Sequence, residues 1–180
     1  MIQKGAKARS LMRTAPAFAW KLRRDGTRMA RSWTAESWGD KLEMSLGAFS
    51  LTEMGALLDQ VAARWERAMP DYRLALAPLA DTSAHAREEL NSAEACGLFF
   101  RSCAGAYQFT DAVERSAPAE DLLRLLACEQ ATCQRVIALL ETDQRIGWHD
   151  DLQRQMCSAD AVRQKLAGLH DLRAQIASSR

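Results

Sequence analysis

The sequence predicts an all-α fold, an antiparallel bundle of four to five helices behind a basic N-terminal extension. Three observations carry that expectation. From residue 50 onward apolar residues recur at steps of three and four, the period of one helix face. Glycine and proline together number only 13 of 180 residues, too few for the turns of a β-rich chain. No stretch alternates with period two for more than a few residues. A chain of this length normally makes one domain, and a hydrophobic fraction of 48% with five Trp, five Phe and seven Met supplies its core. The division expected is an extension over 1–48, with order at some of its tryptophans, and a bundle over 49–180.

The first helix starts at a capping box, Ser50-Leu51-Thr52-Glu53, in which the serine hydroxyl takes the Glu53 amide and the carboxylate reaches back. Leu51, Met54, Leu58, Val61, Trp65 and Met69 form its stripe, which Tyr72, Leu76 and Leu79 continue past a kink or restart at Pro70. The expected span is 51–79. The second helix, 83–112, begins near Thr82 or Ser83. Leu90, Gly97, Phe100 and Tyr107 mark its face, and Ala93, Ala95, Ala104, Gly105 and Ala106 let a neighbour come close. The third, 118–144, is read as capped by Ser116, with Pro118 in the first turn and Glu120 and Asp121 where the helix dipole favours acids. Its broad apolar face, Leu122, Leu126, Cys133, Ile137 and Leu140 widened by Leu125, Val136 and Leu139, predicts neighbours on two sides. The fourth, 158–176, opens at Ser158 and carries Val162, Leu166, Leu169, Leu172 or Arg173, and Ile176.

The formal charge of +1 hides an asymmetry. Residues 1–31 hold nine Lys or Arg and one acid, Asp25, against fifteen bases and twenty-two acids in the rest. The head is expected to dock on the acidic body of its own chain or on a protein partner. Binding to an anionic membrane surface or nucleic acid is the alternative, and no aromatic-and-basic platform accompanies the charge. Trp20, Trp33 and Trp38 are costly to leave in water, so at least some of them should pack. The start of the chain has a basic run and a short apolar patch interrupted by Pro16 and Lys21, which argues against a secretory signal. Five cysteines, an odd number with no CxxC, read as small buried thiols in a reducing compartment, and a cytoplasmic location is expected. No run approaches the length of a membrane-spanning helix.

The chemistry-bearing residues do not assemble into a known catalytic set. His85, His149 and His170 fall on different elements without metal-ligand spacing, so no metal site and no cofactor are expected. Cys103, in the run "SCAG", lies mid-helix, away from the positive helix end that would activate it. Glu94, Arg101, Glu129 and Arg135 are read as salt-bridging or solvent-facing, with Glu94 and Arg101 each able to pair with the third helix. The remaining candidate is the stretch Asp143-Gln144-Arg145-Ile146-Gly147-Trp148-His149-Asp150. Gly147 reads as a helix stop at positive φ, Trp148 as an apolar clasp, and Arg145 as a bridge to Asp143, Glu94 or Glu129. Asp143, Arg145, Trp148, His149 and Asp150 are the residues at which a ligand or partner would touch, although closure of the helix end is the simpler reading.

The runs "AEACGLFFRSCAGAYQF" and "LLACEQATCQRVIALLETDQRIGWHDDLQRQMCSADAVRQKLAGL" resemble the C-terminal helical region of large bacterial proteins related to glycoside hydrolases. The likeness spans about residues 65–172 and rests on Asp143 to His149, where that family reads roughly Asp-Ser-Arg-Ile-Gly-Phe-Glu. His149 stands in place of the family's Glu, and no barrel-length segment precedes the helices. The resemblance implies an accessory helical portion of a carbohydrate-active enzyme, with a barrel-containing subunit as partner and Arg145 and Trp148 lining a sugar cleft. Without a barrel there is no paired-carboxylate geometry for glycosidic cleavage. A non-enzymatic accessory or protein-interaction module is the leading expectation. A carbohydrate ligand and anionic-surface binding through residues 1–31 stand behind it.

Overall fold

The structure, a computed structural model, describes residues 20–25, 42, 46–80, 83–146 and 157–179. Among these are four α-helices and no strand: α1 (Leu51–Ala80), α2 (Ala84–Glu114), α3 (Ala119–Thr142) and α4 (Ala159–Ser178), with a 3-10 turn at Gln144–Ile146. The all-α expectation and the four predicted spans are met to within two residues at each end. None of these helices is long and apolar enough to cross a membrane.

Helix starts follow the expected capping chemistry. At α1, the Ser50 amide donates to Glu53 Oε2 at 2.8 Å and the Glu53 amide donates to Ser50 Oγ at 3.1 Å. Ser83 and Ser158 accept from the Ala86 and Ala161 amides at the starts of α2 and α4. The α3 start departs from expectation, because its N-cap is Pro118, with no side-chain cap. Ser116 instead belongs to the end of α2, where it adopts φ 52°. Its amide donates to the Val113 carbonyl at 3.0 Å and the Ala117 amide to the Ala112 carbonyl at 2.9 Å. That pair of bonds is a Schellman ending, and it needs one residue in the left-handed region. The requirement of the preceding helix outranks the capping preference of the serine.

Consecutive helices pack antiparallel. Between α1 and α2, Thr52 meets Asp111, Asp59 meets Arg101 and Trp65 meets Ala93, so one number rises as the other falls. Between α2 and α3 the same progression runs through Ser102–Glu129, Glu94–Arg135 and Asn91–Asp143. Small residues permit these approaches. A Cβ on Gly97 would lie 2.7 Å from Trp65 Cδ1, and one on Gly105 would lie 3.1 Å from Glu129 Oε2. Trp65 is further fixed by its indole N–H, which donates to the Ala93 carbonyl at 2.8 Å.

The core lies between α2, α3 and α4 and includes Leu98, Phe109, Leu126, Val136, Val162 and Leu169. Trp20, Leu22 and Leu42 of the head join it, and Trp20 meets Tyr107 edge-on with ring centroids 6.4 Å apart. One of the three head tryptophans therefore packs on the body of its own chain; Trp33 and Trp38 lie outside the described residues. The α1 helix is an edge element, continuous through Pro70 and Pro78 rather than restarted. Val61, expected in the α1 stripe, is 41% exposed, while Ala62 is fully buried. With α2 as its main neighbour, α1 turns only a narrow arc inward, and Val61 falls outside that arc.

Candidate functional site

At the end of α3 the chain enters a 3-10 turn organised by Asp143. Its backbone is extended, φ −138° and ψ 95°, and its amide donates to the Leu139 carbonyl. Oδ1 accepts the Arg145 backbone N–H at 3.2 Å, the local closure that aspartate favours in turns. The Arg145 guanidinium then grips the same carboxylate with two parallel bonds, Nε to Oδ1 at 2.8 Å and Nη2 to Oδ2 at 2.7 Å. Asn91 Nδ2 of α2 donates to Oδ2 at 3.0 Å, and Nη1 of Arg145 pairs with Glu88 of the same helix. Arg145 hydrogen bonds hold the Asp143 carboxyl well below the usual carboxylate range against the opposing effect of burial, and Asn91 adds to them.

The turn and α2 border an open groove of about 500 Å³ lined by residues that include Glu88, Ser92, Cys96, Asp143, Arg145 and Ile146. Of the five contact residues expected from sequence, Asp143 and Arg145 are brought together here. Asp143 is buried and Arg145 exposed, and Arg145 spends both ends of its guanidinium on carboxylates of its own chain. Trp148, His149 and Asp150 lie outside the described residues, as does Gly147. Of the other expected partners of Arg145, Glu94 pairs with Arg73 and Arg135, and Glu129 lies in the core. Glu94 thus meets α3 as expected, whereas Arg101 does not. Arg101 holds Glu66 with two bonds at 2.9 and 2.8 Å and also reaches Asp59, both on α1, because the α1 side of α2 is the one it faces.

A second polar cluster joins α2, α3 and α4 in the core: Glu129, read from sequence as salt-bridging or solvent-facing, meets Lys165 and Ser102, which the sequence did not single out. Lys165 Nζ lies 2.5 Å from Glu129 Oε1, and both side chains are 2% exposed. Ser102 Oγ donates to the same oxygen at 2.5 Å and accepts from Lys165 at 3.3 Å. Burial opposes the lysine charge, but Glu129 and the thiols of Cys133 and Cys157 outweigh it and leave the Lys165 pKa above its ordinary value. Burial pushes the Cys133 and Cys157 thiols up to about 12, and Cys103 is raised as well, so all three stay protonated near neutrality. A protonated lysine bound to a carboxylate cannot serve as a base toward Ser102. The cluster acts as a charge clamp between three helices.

The described histidines add no centre. His170 Nδ1 sits 3.1 Å from Gln130 Nε2, His85 pairs weakly with Glu89, and His149 lies outside the described residues. No group of three His, Cys, Asp or Glu that could hold a metal ion occurs among the described residues. Comparison with protein-family models, with curated proteins and with solved structures finds no match to this chain.

Proposed function

We propose that the chain is a non-enzymatic helical module that binds a protein partner through the outer face of α1. The observation that carries this reading is a set of exposed large apolar residues on one face of the helix: Leu57 at 45%, Val61 at 41%, Tyr72 at 37% and Leu79 at 53%. Contiguous exposed apolar surface marks interaction sites, whereas single exposed apolar residues need no explanation. The polar groups with catalytic potential point the other way. Ser102, Glu129 and Lys165 are sealed in the core, and Arg145 is committed to Asp143 and Glu88.

The reading is tested by placing a photo-crosslinking amino acid at position 61 of α1, or at exposed position 124 of α3, in the cell of origin. Adducts of defined mass from position 61 and none from position 124 are expected. Equal yields from both positions, or none from position 61, would overturn it. A carbohydrate-related role, which rests on the resemblance around Asp143 to His149, requires instead that Arg145→Ala abolish binding to a glycan array.

A further inference from the structure

We infer that the partner seated on the outer face of α1 is a second copy of this chain, related by a two-fold axis that passes beside Ala68. This deepens the module reading and rests on it. At 100° per residue, positions 57, 61, 64, 68, 72, 75 and 79 fall within about 80° of arc, and all seven are exposed. Their spacing, four, three, four, four, three, four, is the same read in either direction. An antiparallel second copy centred on Ala68 therefore meets the stripe in register along about 33 Å of helix.

The pairs this symmetry makes are complementary. Leu57 lies opposite the partner's Leu79, and Val61 opposite the partner's Ala75, a large side chain against a small one. Arg64 lies opposite the partner's Tyr72, where a guanidinium stacks on a phenol ring. Ala68 meets the partner's Ala68 at the axis, and two methyl groups let the helices approach closely there. A self-complementary patch of this kind is what a two-fold interface requires.

Charge fits as well. Arg67 and Asp71 lie on one edge of the stripe, and both are exposed. The symmetry keeps that edge facing itself and brings Arg67 to within two residue rises, about 3 Å along the axis, of the partner's Asp71. Two reciprocal ion pairs result. The described ion pairs of α1 that reach another helix run from Asp59, Glu66 and Arg73 towards α2, about 140 to 180° round the helix from the centre of the stripe. A single helix pair is a small interface, so the dimer is reversible and concentration dependent.

Sedimentation equilibrium of the full chain tests this, with a reductant present so that exposed Cys128 cannot crosslink copies. Over about 1 to 200 µM, the range of a small reversible interface, the mass should rise from 20.0 kDa towards twice that value. Ala68→Glu, which opposes two carboxylates at the axis, should weaken association at least tenfold, with helicity by circular dichroism unchanged. Leu74→Ala, off the stripe, should leave it intact. Arg67→Asp and Asp71→Arg should each weaken the dimer, and the double swap should restore it. A mass of 20.0 kDa throughout would overturn the inference, and so would a dimer indifferent to Ala68→Glu and to the charge swaps. A monomer that still gives an in-cell adduct from position 61 with a different protein would end the self-pairing while leaving the module reading in place.

Discussion

Lys165 on α4 and Glu129 on α3 face each other at 2.5 Å in the centre of the bundle, each 2% exposed, with the Ser102 hydroxyl of α2 on the same carboxylate oxygen. A buried pair of this kind contributes little net stability relative to apolar packing, but removing one partner strands a charge. Lys165→Met and Glu129→Gln should each lower unfolding free energy by about 3 to 5 kcal/mol. The double variant should recover a large part of that loss, because no uncompensated charge remains. A urea-denaturation double-mutant cycle checks this, and additive losses would mean that the two residues act independently.

Alkaline pH should unfold the protein by the same chemistry. The folded-state pKa values of Cys103, Cys133, Cys157 and Lys165 all lie above their ordinary values of 9.0 and 10.5. The native state then holds more protons than the unfolded chain, so stability is full below about pH 9 and falls as pH rises. The thiols act first and Lys165 above about pH 10.5. Denaturation midpoints measured from pH 7 to 11.5 should show this decline, with the part above pH 10.5 smaller in Lys165→Met. A midpoint independent of pH over that span would contradict the buried-cluster account.

Ser116→Gly should stabilise the protein by about 0.5 to 1 kcal/mol, since glycine adopts the left-handed geometry at φ 52° without the Cβ penalty. Ser116→Ala should not stabilise it. Thermal unfolding of the two variants distinguishes the helix-ending role found here from a capping role, in which glycine would bring no gain.

Gly97 and Gly168 give opposite expectations for the same substitution. A methyl group on Gly97 would enter Trp65, whose indole is held by Ala93, so Gly97→Ala should destabilise by about 1 to 3 kcal/mol despite better helix propensity. A Cβ on Gly168 meets nothing within 4 Å, and Gly168→Ala should stabilise by about 1 kcal/mol. Chemical denaturation of both variants tests the close packing of α1 on α2.

Much of the fold is legible because helix signals are local. Ser50 with Glu53, Ser83 and Ser158 announce their helices within four residues. The Asp143–Arg145 turn is legible for the same reason, as its two partners are two residues apart. The buried clamp is a different matter. Glu129 occupies an inward position between Leu126 and Cys133, but a lone carboxylate there reads equally well as a surface residue. On α4 the apolar stripe draws the eye to Leu166, whereas Lys165, three residues after Val162 and four before Leu169, is the buried one. Only the juxtaposition of three helices shows that the two charges answer each other. Val61 was misplaced for a related reason: α1 is apolar over a wider arc than α2 covers, and periodicity cannot say which part of the arc is covered.

On the proposed reading, the outer face of α1, and not the core cluster or the Asp143 turn, is where this chain meets a protein. The most direct test is the yield of in-cell adducts from a photo-crosslinking residue at position 57, compared between the otherwise unchanged chain and Ala68→Glu, with urea midpoints measured in parallel on the dilute, monomeric protein. The predicted result is a yield reduced at least tenfold by Ala68→Glu, with unfolding free energy changed by less than about 0.5 kcal/mol, as for an exposed position. An undiminished yield in the Ala68→Glu chain would contradict the claim.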